Sequence, residues 1–166
     1  MGSEIDALRA AMKAAQPSGK GVYIEAGQHV LDIDRAFVKR SMQGGMTKES
    51  WIVEFKVVSS TNPTHEVGST RSYVENPANQ GWMERFKSFL SAAVGADPTG
   101  KLSAEDEITI SDVTVALRFD EYRIERGWPE NFLKGRRLHC EGMAGISKSG
   151  GPVTNKKWTP APAATQ

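Results

Sequence analysis

Mainly β structure with interspersed helices is what this sequence predicts, and three observations predict it. Trp51-Ile-Val-Glu-Phe-Lys-Val-Val58 alternates Trp51, Val53, Phe55 and Val57 with Ile52, Glu54, Lys56 and Val58, the period-two pattern of a half-buried strand. The first set is expected to face the core. Gly68-Ser-Thr-Arg-Ser-Tyr-Val-Glu75 is a second β-rich run, and Ser59 to Val67 between the two carries the Ser, Thr, Asn and Pro of a chain reversal. Residues 76–95 then read as an amphipathic helix. Asn76 suits its N-cap, Pro77 its first position and Gly95 the position past its end, with Asn79 an equal cap if Pro77-Ala78 lies outside. Trp82, Phe86, Phe89, Leu90 and Ala93 form its core-facing stripe.

Composition bounds the rest. A chain of 166 residues suits one domain with a real core, and 16 Gly and 8 Pro favour short elements joined by turns. The net charge of +1 excludes a histone-like polycation but leaves room for a local basic face. One cysteine, Cys140, cannot make an internal disulfide and fits a reducing compartment. No run approaches the roughly 20 apolar residues of a membrane span, and no signal-peptide core is visible at the N-terminus. A soluble, intracellular protein is expected.

In order, Ser3 to Ala15 reads as a short N-terminal helix with Ile5, Leu8, Ala11 and Met12 at helical spacing. So short a helix is marginal alone and must dock on something or stay partly frayed, as a peripheral arm or as a self-association element. Residues 16–21 break it, so 1–20 form a helix and linker ahead of a domain at 21–160. Val22 to Ser41 is a strand region interrupted at Ala26-Gly27, with Leu31, Ile33 and Phe37 expected on one face. Gln43-Gly-Gly-Met-Thr-Lys48 connects it to the Trp51 strand. On the 68–75 strand, Arg71 and Tyr73 share one face and Thr70, Ser72 and Val74 the other. Residues 103–125 fit both a strand (Val113, Val115, Leu117, Phe119) and a helix (Ile110, Val113, Leu117, Ile124), and periodicity does not decide between them. Arg136 to Met143 and Val153 to Thr159 make a closing hairpin across the Ser147-Lys-Ser-Gly-Gly-Pro152 turn, and 161–166 is a tail.

Strand, strand, strand, helix, strand, strand is the order of an OB-like five-stranded barrel with its helix between strands 3 and 4. Such barrels bind oligonucleotides or oligosaccharides on an open face, but the residues must supply the function. Single-stranded nucleic acid calls for cations along its phosphates and flat rings for its bases. The cations are Arg71, then Lys134, Arg136 and Arg137, then Lys156 and Lys157; the rings are Tyr73 and Trp158, each beside a cation.

Phe132-Leu-Lys-Gly-Arg-Arg-Leu138, Lys148-Ser-Gly-Gly-Pro152 and Lys157-Trp-Thr-Pro160 together resemble the C-terminal hairpin of small phage-encoded proteins similar to single-stranded-DNA-binding proteins. Gly21-Val-Tyr23 and Val94-Gly-Ala-Asp-Pro98 resemble that family too. The resemblance covers about residues 20–160 and rests on short motifs. It implies an OB-like fold, single-stranded DNA as partner with low sequence specificity, and a role in phage replication or recombination in the host cytoplasm. It also implies a helix before the Gly-Arg strand, which favours helix within 103–125. Many such proteins end in an acidic recruiting tip, whereas this chain ends Ala163-Ala-Thr-Gln166.

Other chemistry finds little support. His29, His65 and His139 are scattered, and no CxxC or HxxxH spacing marks a zinc site. Asp32 and Asp34 read as solvated strand charges and Cys140 as a buried thiol. No catalytic residue, metal or cofactor is expected, and the chain does not read as an enzyme. The alternative to DNA binding is a phage virion structural or decoration protein that uses a small β-barrel as an assembly unit, with homo-oligomers possible under either reading.

Overall fold

The computed structural model describes residues 2–14, 23–96, 100–147 and 149–161. The expected helix break and strand start at 16–22, the turn at 97–99, Lys148 and the tail from 162 lie outside them. Five strands, β1 (Gly27–Gln43), β2 (Met46–Ser60), β3 (Thr70–Glu75), β4 (Arg137–Ile146) and β5 (Pro152–Pro160), form one antiparallel sheet in the order β3-β2-β1-β4-β5. Helix α1 (Gly2–Ala14) precedes the sheet, and α2 (Trp82–Ala93), α3 (Ala104–Arg118) and α4 (Asp120–Glu125) lie between β3 and β4. The chain is thus mixed α/β. Its sheet is not closed, since β3 and β5 are its two edges. No described helix is long and apolar enough to cross a membrane.

The β1–β2 hairpin turns on Gly44-Gly45, both at positive φ (61° and 79°), the geometry of a two-residue turn that matches strand twist. The alternation expected for the second strand is observed: Trp51, Val53, Phe55 and Val57 are buried. The first strand departs from expectation. Ile33 pairs with Phe55 but Arg35 pairs with Glu54, so Asp34 is an extra residue in a bulge. Beyond it Ala36 and Val38 pack on the core, and Phe37 pairs with Ile52 on the opposite face from Leu31 and Ile33. Asn131 holds the bulge, donating from Nδ2 to the Asp34 carbonyl (2.7 Å) and accepting at Oδ1 from Ala36 N–H (3.4 Å).

The helix expected at 76–95 is shorter. Asn76 Oδ1 accepts from Ala78 N–H in a turn before the helix, and α2 begins only at Trp82. Its end is as expected, with Gly95 N–H bonding Ala92 O (3.1 Å) and Ala96 N–H bonding Ser91 O (2.8 Å). Phe86, Phe89, Leu90 and Ala93 are buried, and Trp82 packs partly on the core. Residues 104–118 and 120–125 are helical, with Phe119 extended between them. Ser103 caps α3 by accepting from Asp106 N–H (3.0 Å), and Ile110, Val113 and Ala116 are buried.

The core lies on one face of the sheet, under α2 and α3. Its centre is a set of rings: Trp158 lies 5.6 Å from Phe55, 5.2 Å from Phe89 and 5.1 Å from Tyr73. Tyr73 and Trp158 belong to the two edge strands, which do not pair with each other, so the sheet curls until its edges touch through side chains.

Asn131→Ala should cost about 1–3 kcal/mol of stability, because a carbonyl and an N–H at the bulge lose their partners. Urea unfolding would measure it, and an unchanged midpoint would show that the bulge holds without Asn131.

Candidate nucleic-acid interface

The structure divides the sequence-derived set between two faces. Tyr73 and Trp158 are 4% and 3% exposed, so neither ring is a free platform for a base. Arg71 and Tyr73 share one face, as the alternation predicts, and that face is the inner one. Tyr73 O–H donates to Glu75 Oε2 (2.5 Å), and Arg85 grips the same carboxylate from Nε and Nη2 (2.9 and 3.0 Å). Burial, then this bond, raises the tyrosine pKa. Lys156 lies on the same side, its ammonium 5.4 Å from the Tyr73 ring centre.

Arg71 is 3% exposed and makes no free contact for phosphate. Its Nη1 donates to Tyr23 O (3.0 Å) and its Nη2 to Thr64 O, which ties the segment before β1 to the loop after β2. Two histidines complete this joint. The rings of His29 and His65 stack at 4.4 Å and 13°. His29 Nε2–H donates to Glu25 O (2.8 Å), leaving Nδ1 to accept from the Ser60 hydroxyl (2.7 Å). Glu25 N–H donates to His65 Nε2 (3.0 Å), so the His65 hydrogen sits on Nδ1, toward Thr64 Oγ1 (3.2 Å). Burial and then the Arg71 charge push His65 down to about 4, and burial lowers His29 as well. His29 and His65 lie far apart in the sequence. Their contact is made by the fold.

Arg137 and Lys157 do lie on the outer face, where each has an acidic neighbour. Arg137 holds Asp32 from Nε and Nη2 (2.7 and 3.0 Å), and Lys157 pairs across the ladder with Glu141. Lys134 and Arg136 sit exposed in the turn before β4. Arg136 Nη1 reaches Ala93 O (3.4 Å) at the C-terminal end of α2, where a cation suits the helix dipole.

Residues that sequence reasoning passed over occupy the rest of the outer face. Phe37, Ile52 and Val74 line up across β1, β2 and β3, with the next row formed by Arg35, Glu54 and Ser72. The Arg35 guanidinium lies 4.2 Å from the centre of the Phe37 ring. Tyr23 bridges to Ser72 at the sheet edge and is 49% exposed, while its neighbour Ile24 is buried. Lys56 stands between Asp32 and Thr70 in the third row, bonded to Thr70 Oγ1 (2.7 Å). The β1–β2 hairpin extends past this face with Lys39, Arg40 and Lys48 exposed. Phe37 was missed because one bulged residue reverses its side.

Cys140 is fully buried, and burial pushes its thiol up to about 12, the opposite of a nucleophile's requirement. Among the described residues no three His, Cys, Asp or Glu side chains gather as a metal site. Comparison with known proteins found no family model that matches the chain and no curated protein that matches its sequence.

Two outcomes follow from these placements. Trp158→Ala should lose about 3–5 kcal/mol of stability, the usual cost of a deleted core ring, seen in urea unfolding; a loss well under 1 kcal/mol would place the ring outside the core. Because the folded state holds His65 neutral, the unfolded state binds more protons between about pH 6.5 and about pH 4. Stability should therefore fall as pH drops through that window, and His65→Gln should flatten the slope between pH 6.5 and 5. An equally steep slope in the variant, read from melting temperature, would discount the histidine.

Proposed function

We propose that the chain is an OB-like single-stranded-DNA-binding protein of low sequence specificity, acting in phage replication or recombination. The observation that carries this is the outer face of β1–β3. There Phe37 and the exposed Tyr23 offer ring surface, and Arg35 and Lys56 stand beside them. Strand order β3-β2-β1-β4-β5 with helices between β3 and β4 supports the OB-like reading, as it is a five-strand Greek-key order opened at the β3–β5 seam. Arg71 enters as a positioning residue that holds the Tyr23 backbone.

Charge sets the character of the binding. Asp32, Glu54 and Glu141 interleave with the cations of the face, so ring stacking leads and phosphate contacts assist. The exposed cations of the β1–β2 hairpin flank the face and supply salt-dependent contacts.

The second reading, an assembly unit of a virion, has its own observation. Helix α1 is exposed at every residue from Gly2 to Met12, and Ile5, Leu8 and Met12 leave an apolar stripe uncovered at 49%, 67% and 70%. Sedimentation that depends on concentration, with no response to oligo(dT), would favour it.

Phe37→Ala should weaken oligo(dT) binding by about 1–3 kcal/mol, the worth of one stacked base. Fluorescence anisotropy at fixed salt would measure this, with thermal melting as the check on folding. A wild-type protein that ignores oligo(dT) at low salt would overturn the DNA reading.

A further inference from the structure

Between β3 and β5 the curled sheet leaves a cleft of about 670 Å³. Tyr73 and Trp158 line its floor, Ile146 and Val153 the hairpin wall, and Arg85 the α2 wall. Lys156 is the cation inside it. Among the described residues that are buried or half-buried, it is the only Lys or Arg without a carboxylate within 4.0 Å; Arg71, Arg118 and Arg123 each have one. Its single hydrogen bond goes to Thr154 O (3.2 Å) in its own strand, leaving two ammonium hydrogens unused. Glu75 also lines the cleft, but its oxygens are taken by Arg85 and the Tyr73 hydroxyl. Lys156, Arg85 and Glu75 together leave one positive charge facing the opening.

A cation drawn half out of water without a counter-ion raises the free energy of the empty protein. Burial accordingly lowers the Lys156 pKa. An anion in the cleft would relieve this. The cleft also meets the outer face, for Val74, exposed in the row with Ile52 and Phe37, is one of its lining residues. A strand lying on that face can therefore pass over the edge of β3 and into the cleft.

We propose that this cleft takes a phosphodiester group of the bound strand, with the phosphate on Lys156 and its nucleoside against Ile146 and Val153. This rests on the reading of the chain as a single-strand-binding protein and adds a second contact region to it. The hairpin supplies apolar surface at the right place, with Ile146 79% and Val153 39% exposed.

The test is oligo(dT) binding to the full chain across a salt series, comparing wild type with Lys156→Gln, Lys157→Gln and Val153→Glu. Lys156→Gln should weaken binding about tenfold at moderate salt and lower the salt slope by roughly 0.7, the share of one phosphate on a single strand. Lys157→Gln, already facing Glu141, should change both much less. Val153→Glu, which puts a carboxylate on the rim, should weaken binding at least as much as Lys156→Gln. Lys156→Gln should also melt no lower than wild type, since the desolvated charge is removed. If wild type binds and Lys156→Gln matches it in affinity and slope, the cleft assignment falls and the DNA reading stands. If wild type does not bind, both fall. If wild type also binds poly-glutamate, and Lys156→Gln loses that binding while keeping oligo(dT) binding intact, the cleft takes an acidic peptide and the phosphodiester assignment is overturned.

Discussion

Two strand edges that never hydrogen-bond to each other are held together by rings. Tyr73 on β3 and Trp158 on β5 meet at 5.1 Å, and Phe55, Phe86 and Phe89 pack around them. Each such pair adds about 0.5–1.5 kcal/mol beyond its buried area. The packing compensates for absent backbone bonds along the seam. It also decides what is left for function, because a ring used to close the sheet is not available to a base. The cost shows at Lys156, whose ammonium lies 5.4 Å from the Tyr73 ring and whose charge is left half out of water.

The Asp34 bulge is the second constraint. One added residue in β1 sends Ala36 and Val38 to the core and Phe37 to the opposite face, next to Arg35. Without it, Phe37 would join Leu31 and Ile33 beneath the helices, and the outer face would lose its central ring. Asn131, about a hundred residues away in sequence, holds that geometry through its two amide bonds. The site on β1 thus depends on the turn that precedes β4.

Much of the fold was legible because local rules were unbroken where it mattered. The Trp51–Val57 alternation carries no interruption, and the Val94-Gly95 helix end obeys ordinary capping chemistry. The clearest unused local signal is Ser103, whose hydroxyl caps α3 ahead of an acidic first turn. The bulge had no such local mark, so the side of Phe37 was misjudged. Arg71 and Tyr73 were placed on a shared face, but period two does not say which face is inside. An arginine ordinarily argues for solvent, and Arg71 is buried only because the Tyr23 and Thr64 carbonyls converge on it. The His29–His65 stack likewise joins residues far apart in sequence. Long-range contacts of this kind leave no trace in spacing.

Under the proposed function, bases lie on the outer face of β1–β3 while Tyr73 and Trp158 stay packed inside. Backbone amide and side-chain shift mapping with oligo(dT) tests it most directly. Perturbations are expected at Tyr23, Arg35, Phe37, Ile52 and Lys56, continuing over Val74, with the Trp158 indole still protected from solvent exchange. Perturbations confined to the α3–α4 side, or a Trp158 indole that becomes freely exchanging as DNA binds, would contradict it.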